Sequence, residues 1–328
     1  MTDRPPVAPT TGPWRIATRR SHLAQVQAGH VGQALETATG RPYELVPMAT
    51  TGDEHPDRAL DAFDAKGLFV DRTRGAVLAG DCHLVVHSYK DLPTEAHPDL
   101  TIGGVPARVD PRDALVTRAG WRLADLPRDR QVVIGTSSPR RRAQIAKHRR
   151  DVLVQPIRGN IETRLGKVAR GEVDGVVLAL AGILRARPDV PGLTVVPLEH
   201  GEMLHAPAQG ALALECRVDD AATRKALRKL DHEDTRSAVT AEREVLLQLQ
   251  GGCTAPIGAH AEVRVGPTGE KRIELLGLLS DPSGTSLYRA SHETGASEPH
   301  LLGRVMAATL LEAGGDRVLE RLRAADGA

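Results

Sequence analysis

The sequence predicts an α/β protein in two successive sets of strand and helix units, closed by a smaller α+β domain. Three observations point there. Strand-like and helix-like runs alternate over roughly the first two hundred residues, and a fresh set of them opens near Asp113. The last hundred or so residues instead carry three strand-like runs separated by strong turns. Alternation of the first kind packs helices on a largely parallel sheet.

Taken in order, Trp14 to Thr18 reads as a strand, and Ser21 is placed to cap a helix whose Leu23, Gln27/Ala28, Val31 and Leu35 follow the helical period. Tyr43 to Met48 is a second strand, followed by the polar loop Thr50 to Asp57. Gly67 to Ala79 predicts a helix, and Cys82 to His87 a short buried strand running into Ser88-Tyr89-Lys90-Asp91-Leu92-Pro93, where the proline stops it. In the second set the strands are Val132 to Gly135, Val152 to Ile157 and Gly175 to Leu180. Ser138 suits an N-cap and Pro139 the first helical position after it. Arg158-Gly159-Asn160 leads into a helix with Ile161, Leu165 and Val168 on one face, and Ala181-Gly182 opens another. Thr235 to Gln250 is an amphipathic helix with Ala238, Val245, Leu246 and Leu249 on one stripe. Strands Ala259 to Val265, Arg272 to Leu279 and Ser286 to His292 follow, with turns at Gly266-Pro267-Thr268-Gly269 and Asp281-Pro282-Ser283-Gly284, then a helix over Pro299 to Leu322.

Composition narrows the class. A chain of 328 residues supports two or three cores, and 41% hydrophobic with 26% charged residues is an ordinary globular balance. No apolar run approaches the roughly 20 residues a membrane span needs. Met1 to Pro13 has no apolar signal core and reads as a short disordered tail on a cytoplasmic protein. A net charge of +1 and 2% aromatics argue against a nucleic-acid partner. Three cysteines without a C-x-x-C pair argue against a disulfide framework or a structural zinc site. Cys82 and Cys216, in apolar runs, read as small buried hydrophobes. No H-E-x-x-H, Walker A or G-x-S-x-G pattern occurs, so metalloprotease, P-loop and α/β-hydrolase chemistry lack support.

Only seven of the 43 basic residues are lysines, and where the arginines fall is more telling than their number. Arg19, Arg140, Arg141, Arg158 and Arg185 each stand where a strand hands over to a helix. Such junctions line the ligand crevice of open α/β sheets, with helix N-termini adding partial positive charge. Several guanidiniums there repel one another unless an anion joins them, and their forked donors fit carboxylates or phosphates. A solvated-surface reading competes for each arginine singly, and it is preferred for Arg142, Arg149 and Arg150. Asp91, past a strand end beside Lys90, is either a turn residue or a carboxylate set to oppose a developing cation. Cys253, after the flexible pair Gly251-Gly252, is either an incidental loop thiol or a site for covalent chemistry.

These segments, in order, resemble the porphobilinogen deaminase family over about residues 14 to 325. The resemblance is carried by Ile16-Ala17-Thr18-Arg19 with Ser21, Glu44 to Met48, Lys66-Gly67-Leu68-Phe69-Val70, Val86 to Pro93, and Gly135-Thr136-Ser137-Ser138 with Arg140-Arg141. Arg158-Gly159-Asn160 with Thr163-Arg164, Gln209-Gly210-Ala211, Thr240-Ala241-Glu242-Arg243 and Gln250 to Cys253 complete it. It implies three domains: two lobes like those of periplasmic binding proteins, at 1–107 with 203–225 and at 112–200, then the α+β domain at 229–328. The implied activity is that of a transferase joining four porphobilinogen molecules head to tail with loss of ammonia, giving hydroxymethylbilane for tetrapyrrole and heme synthesis. The implied cofactor is a dipyrromethane primer held by a thioether from Cys253. Asp91 would be catalytic. Lys90, Ser138, Arg140, Arg141, Arg158, Arg164, Arg243 and Phe69 would bind the cofactor, and Arg19, Ser21, Arg158, Arg164 and Arg185 the substrate. The family also implies a cytoplasmic monomer with neither metal, membrane nor nucleic acid; the competing class is a two-lobed anion-binding protein without catalysis. Tyr89, Pro139, Thr254-Ala255 and His205-Ala206-Pro207-Ala208 depart from the family's usual residues, none at the cost of a charged or nucleophilic group.

Overall fold

The computed structural model describes residues 6–9, 11–48, 72–249 and 255–326. Phe69, Cys253 with its two glycines, and the loop Thr50 to Asp57 lie outside the described residues. The chain falls into two compact units, one of Met1–Arg108 and Ala211–Arg236, the other of Val109–Gly210 and Ser237–Ala328.

The first unit holds a five-stranded sheet in the order β2 (Tyr43–Met48), β1 (Trp14–Arg19), β3 (Leu84–Ser88), β10 (Leu212–Arg217), β4 (Leu100–Gly104). β1 runs parallel to β2 and β3, whereas β10 is antiparallel to both of its neighbours. The helix His22–Thr39 buries Gln27, Ala28, Val31 and Leu35, the stripe its periodicity predicts, in one core with Ile16, Leu84 and Leu214. Gly32 lets this helix approach the sheet: a Cβ there would lie 2.2 Å from the Tyr43 ring. The described part of the tail read as disordered is held in place. Ala8 is buried, and the Arg41 guanidinium donates to the carbonyls of Pro9, Thr11 and Pro13. His83 accepts from the Arg15 amide at Nδ1 and donates from Nε2 to the Pro9 carbonyl. A proline-rich stretch without a hydrophobic period gave no sign of this docking, which rests on backbone carbonyls.

The second unit repeats the pattern with β7 (Leu153–Gln155), β6 (Val133–Gly135), β8 (Gly175–Ala179), β5 (Asp113–Thr117) and β9 (Thr194–Pro197). Here too the first three strands are parallel and the fourth, β5, is antiparallel to both neighbours. In each sheet the odd strand is the one contributed where the chain crosses between units, β10 on return and β5 on entry. The largely parallel α/β layering is thus as predicted, with two lobes of one topology.

The same unit carries the antiparallel sheet β11 (Ile257–Val265), β12 (Lys271–Ser280), β13 (Leu287–Gly295). The helix Glu233–Leu249 and the helix Pro299–Leu310 share its core through Val245, Leu249, Leu275 and Met306. The single C-terminal helix read from sequence is instead two, Pro299–Leu310 and Asp316–Asp326. Gly314, at φ 113°, breaks the helical path between them, and the Tyr288 hydroxyl occupies the space a side chain there would need.

Candidate functional site

In the first unit, β1 delivers Arg19 to its carboxyl end, and Ser21 begins the following helix with an extended backbone and a hydroxyl that caps nothing. β3 ends in the short 3-10 turn Tyr89–Asp91. The Tyr89 amide, donating to the Ala211 carbonyl over 3.0 Å, pins this turn beside β10, and Tyr89 packs with Leu92 and Ala213. The turn leaves Asp91 exposed and Lys90 half-buried. Arg19, Ser21, Gln27, His87, Ser88 and Asp91 line one cavity of about 280 Å³. Beneath it, the almost fully buried Glu215 on β10 accepts two bonds of 2.8 Å from Arg74 and one of 3.0 Å from Nε2 of His87. Burial alone would raise the Glu215 carboxyl; the His87 and Arg74 bonds outweigh it and bring it down to about 2. Glu215 therefore stays ionised and fixes the orientation of His87 in the cavity wall.

The second unit gathers cations around the helix Pro139–His148. Ser138 caps it, accepting from the Arg141 amide over 3.4 Å, with Pro139 at its first turn as predicted. Asp113, fully buried at the start of β5, sits between Arg140 and Arg141. Arg140 donates to Asp113 over 2.8 Å and to the Leu204 carbonyl over 2.7 Å; Arg141 donates to Asp113 over 2.7 Å and to the Val177 carbonyl over 2.9 Å. Gln209 adds a 2.8 Å bond to the same carboxylate. Burial opposes ionisation of Asp113, but the two guanidiniums and Gln209 hold its pKa far below the usual carboxylate range. One carboxylate against two guanidiniums leaves a net positive charge. Burial likewise lowers Arg140, against the pull of Asp113.

Arg158 is exposed just past β7, and Asn160 caps the next helix by accepting from the Thr163 amide over 2.8 Å. Arg164 donates from Nε to the Gly159 carbonyl over 2.8 Å, and its pKa is lowered by burial and then by the charge of Arg141. Arg185 donates to the Gly210 carbonyl over 2.8 Å, and burial pushes it down to about 10. Among the described residues, no carboxylate pairs with Arg158, Arg164 or Arg185. Arg164 and Arg185 are half-buried beside neutral carbonyls, and such cations are costly to desolvate without an anion.

Arg243 is half-buried on the helix Glu233–Leu249. Its neighbour Glu242 is fully buried and accepts from the amides of Ala208 and Ala261, tying that helix to the chain before β10 and to β11. Arg149 corrects the sequence reading. It is 2% exposed, donating to the carbonyls of Leu123, Leu126 and Pro127 and pairing with Asp151, so it is a structural centre rather than a solvated charge. Arg142 and Arg150 are exposed, as read. Cys82 and Cys216 are buried as expected, their thiols raised by burial to about 11 and about 12. Asp113, Glu215 and Arg74 escaped the sequence reading. Asp113 and Glu215 had one signal, an acid at the edge of an apolar run, Ala114 to Val116 after the one and Ala211 to Leu214 before the other.

The family comparisons cover both units. Residues 14–225 match the model "Porphobilinogen deaminase, dipyromethane cofactor binding domain", and residues 237–312 match "Porphobilinogen deaminase, C-terminal domain". The chain is 44% identical over 310 residues to the porphobilinogen deaminase of Acidothermus cellulolyticus, covering 93% of this chain and 91% of that one. It is 44% identical over 326 residues to that of Nocardia farcinica, covering 97% and 91%. Porphobilinogen deaminase 1 of Streptomyces coelicolor is 42% identical over 308 residues, covering 92% and 95%. With two family models in sequence and relatives aligned almost end to end, this chain belongs to the porphobilinogen deaminase family.

Proposed function

We propose that the chain is a hydroxymethylbilane synthase that condenses four porphobilinogen molecules head to tail, releases ammonia at each addition and frees hydroxymethylbilane by hydrolysis. The observation that carries this reading is the surplus of half-buried guanidinium groups in the second unit. Among the described residues, Arg164 and Arg185 have carbonyl partners and no carboxylate, and Arg140 with Arg141 exceeds Asp113 by one charge. Each pyrrole of substrate and cofactor brings two carboxylates, so the donor set fits a dipyrromethane. That group, when bound through a thioether to Cys253, supplies the unsubstituted pyrrole carbon on which the chain grows.

The protein's own part is positioning and charge. Arg158, Arg164 and Arg185 hold side-chain carboxylates of substrate, each charged hydrogen bond contributing about 1.5–3 kcal/mol. By resemblance to the family, Lys90, Ser138, Arg140, Arg141, Arg158, Arg164 and Arg243 hold the cofactor, and Phe69 is assigned to it as well. Arg19 and Ser21 bind substrate in the cavity they share with Asp91. As the aminomethyl C–N bond of porphobilinogen breaks and ammonia departs, positive charge develops on the substrate pyrrole, and the Asp91 carboxylate opposes it. The three-domain division at 1–107 with 203–225, 112–200 and 229–328, a monomeric state and a cytoplasmic location belong to the same proposal. Among the described residues, no helix is long and apolar enough to cross a membrane.

Intact mass under denaturing conditions tests the reading, with Cys253→Ser alongside. The expected result is an excess equal to two porphobilinogens minus two ammonias on the wild type and none on the variant. A wild type that stays unmodified after incubation with porphobilinogen, and releases no ammonia, would overturn it in favour of a non-catalytic anion binder.

A further inference from the structure

His200, His205 and His260 form a cluster that neither cofactor nor substrate binding uses. All three belong to the second unit: His200 and His205 come from the connection after β9, and His260 from β11. Each offers one ring nitrogen within 4.8 Å of the others. The His200 and His260 rings stack with centroids 3.8 Å apart, and His205 stands edge-on, 5.4 Å from His200 and 5.0 Å from His260.

The tautomers favour a cation. His205 is fully buried, and its Nδ1 lies 2.8 Å from the Ala206 carbonyl, an acceptor that places the ring proton there. Its Nε2 therefore presents a lone pair, 3.0 Å from Nδ1 of His260. A backbone carbonyl fixing one ring nitrogen so that the other can ligate is the usual support of a metal-bound histidine. Two nitrogens on a tetrahedral zinc, each at about 2.0–2.1 Å, stand about 3.3–3.4 Å apart. The His205–His260 pair is thus within a few tenths of an ångström of that spacing, while His200 reaches it by rotating out of its stack.

The surroundings agree. His200 and His260 line a cavity of about 370 Å³ together with Asp110, Glu262 and Glu274. The two arginines of its wall are already engaged, Arg112 with Asp110 and Glu199, Arg264 with Glu262 and Glu274. The same ion pairs occupy the cavity's carboxylates, so the space that is left suits water as a fourth ligand. Imidazole with carboxylate or water suits zinc and its neighbours over magnesium or calcium. We propose that His200, His205 and His260 bind one divalent transition metal of the zinc class, with the fourth position held by water. The Ala259 amide already donates to the His205 carbonyl over 3.0 Å, so the ion would reinforce an existing link between β11 and the segment that carries Gln209.

The experiment titrates the cofactor-loaded, chelator-treated protein with Zn2+ by calorimetry and with Co2+ by visible absorption. His200→Gln and His260→Gln are the comparison variants, because replacing the fully buried His205 endangers the fold; circular dichroism of both metal-free variants checks that they remain folded. One equivalent should bind, each variant should lose at least about tenfold in affinity, and the Co2+ spectrum should be tetrahedral without a thiolate band. Absence of saturable binding, equal affinity in wild type and both variants, or a thiolate band that places the ion on cysteine would each overturn the proposal.

Discussion

The two lobes share one sheet order but treat buried charge in opposite ways. In each, the antiparallel strand carries a buried acid: Glu215 on β10 and Asp113 on β5. Glu215 meets a single guanidinium, Arg74, beside the imidazole of His87, so one fixed cation answers its one charge. Asp113 meets two guanidiniums, and Arg164 adds a third whose ionisation is hindered by burial and then by the charge of Arg141. The lesson is that topology alone does not make an anion site. The first lobe uses its acid to orient a cavity wall beside Asp91, whereas the second uses its acid to hold more positive charge than it cancels.

The largest test of that contrast is Asp113→Asn. Both arginines would remain buried with no anion between them, and breaking a buried pair in this way costs about 3–5 kcal/mol. Urea denaturation of the cofactor-free protein should report that loss, and a loss under about 1 kcal/mol would mean that water or backbone carbonyls already satisfy the two guanidiniums.

Glu215→Gln should cost less, about 2–3 kcal/mol, because Arg74 is partly exposed and regains water. Its signature is in the pH dependence. The folded carboxyl sits at about 2, below its ordinary value of 4.5, so the native state favours the ionised form. The stabilisation is complete above pH 4.5 and is lost as pH falls from 4.5 through about 2. The difference in unfolding free energy between wild type and variant should shrink across that window and be flat above it. A difference that did not change with pH would put the Glu215 contribution in packing rather than charge.

How much of this the sequence carried depends on whether a residue's partner is near it in the chain. The Ser138 cap, the helix face Gln27–Leu35, the turns of the three-stranded sheet and the arginines at strand ends all follow from local rules, and the structure has them where the periodicities place them. Asp113 answers to arginines 27 and 28 residues on, and Glu215 to one 141 residues back, and no local pattern encodes such pairings. Arg149 was misread for the same reason, since four carbonyls between Leu123 and Pro127 surround it. The strands β4, β5 and β9 were not read as strands; β4 ends in Gly103-Gly104 and β9 in Pro197, residue types that weaken a strand signal.

Arg185→Gln sharpens the contrast from the ligand side. Burial lowers this guanidinium to about 10, with the Gly210 carbonyl its one hydrogen-bond partner among the described residues, so removing it relieves a desolvated charge, and stability should change by less than about 0.5 kcal/mol. If it holds a substrate carboxylate, kcat/KM for porphobilinogen should fall roughly 10- to 150-fold. Lost stability with unchanged kcat/KM would make Arg185 a structural residue like Arg149.

The smallest effect separates two helix starts within the second lobe. Asn160 caps with a bond of 2.8 Å to the Thr163 amide, and Ser138 with a longer one of 3.4 Å to Arg141. Asn160→Ala should therefore cost about 1 kcal/mol of stability and Ser138→Ala about 0.5 kcal/mol. If Ser138 also donates its hydroxyl to the bound cofactor, the order reverses in activity, with Ser138→Ala slower than Asn160→Ala despite being the more stable of the two. Thermal melts and ammonia release measured on the same two preparations decide it. Equal activities would reduce Ser138 to a cap and leave the second lobe's hold on anions to its guanidiniums alone.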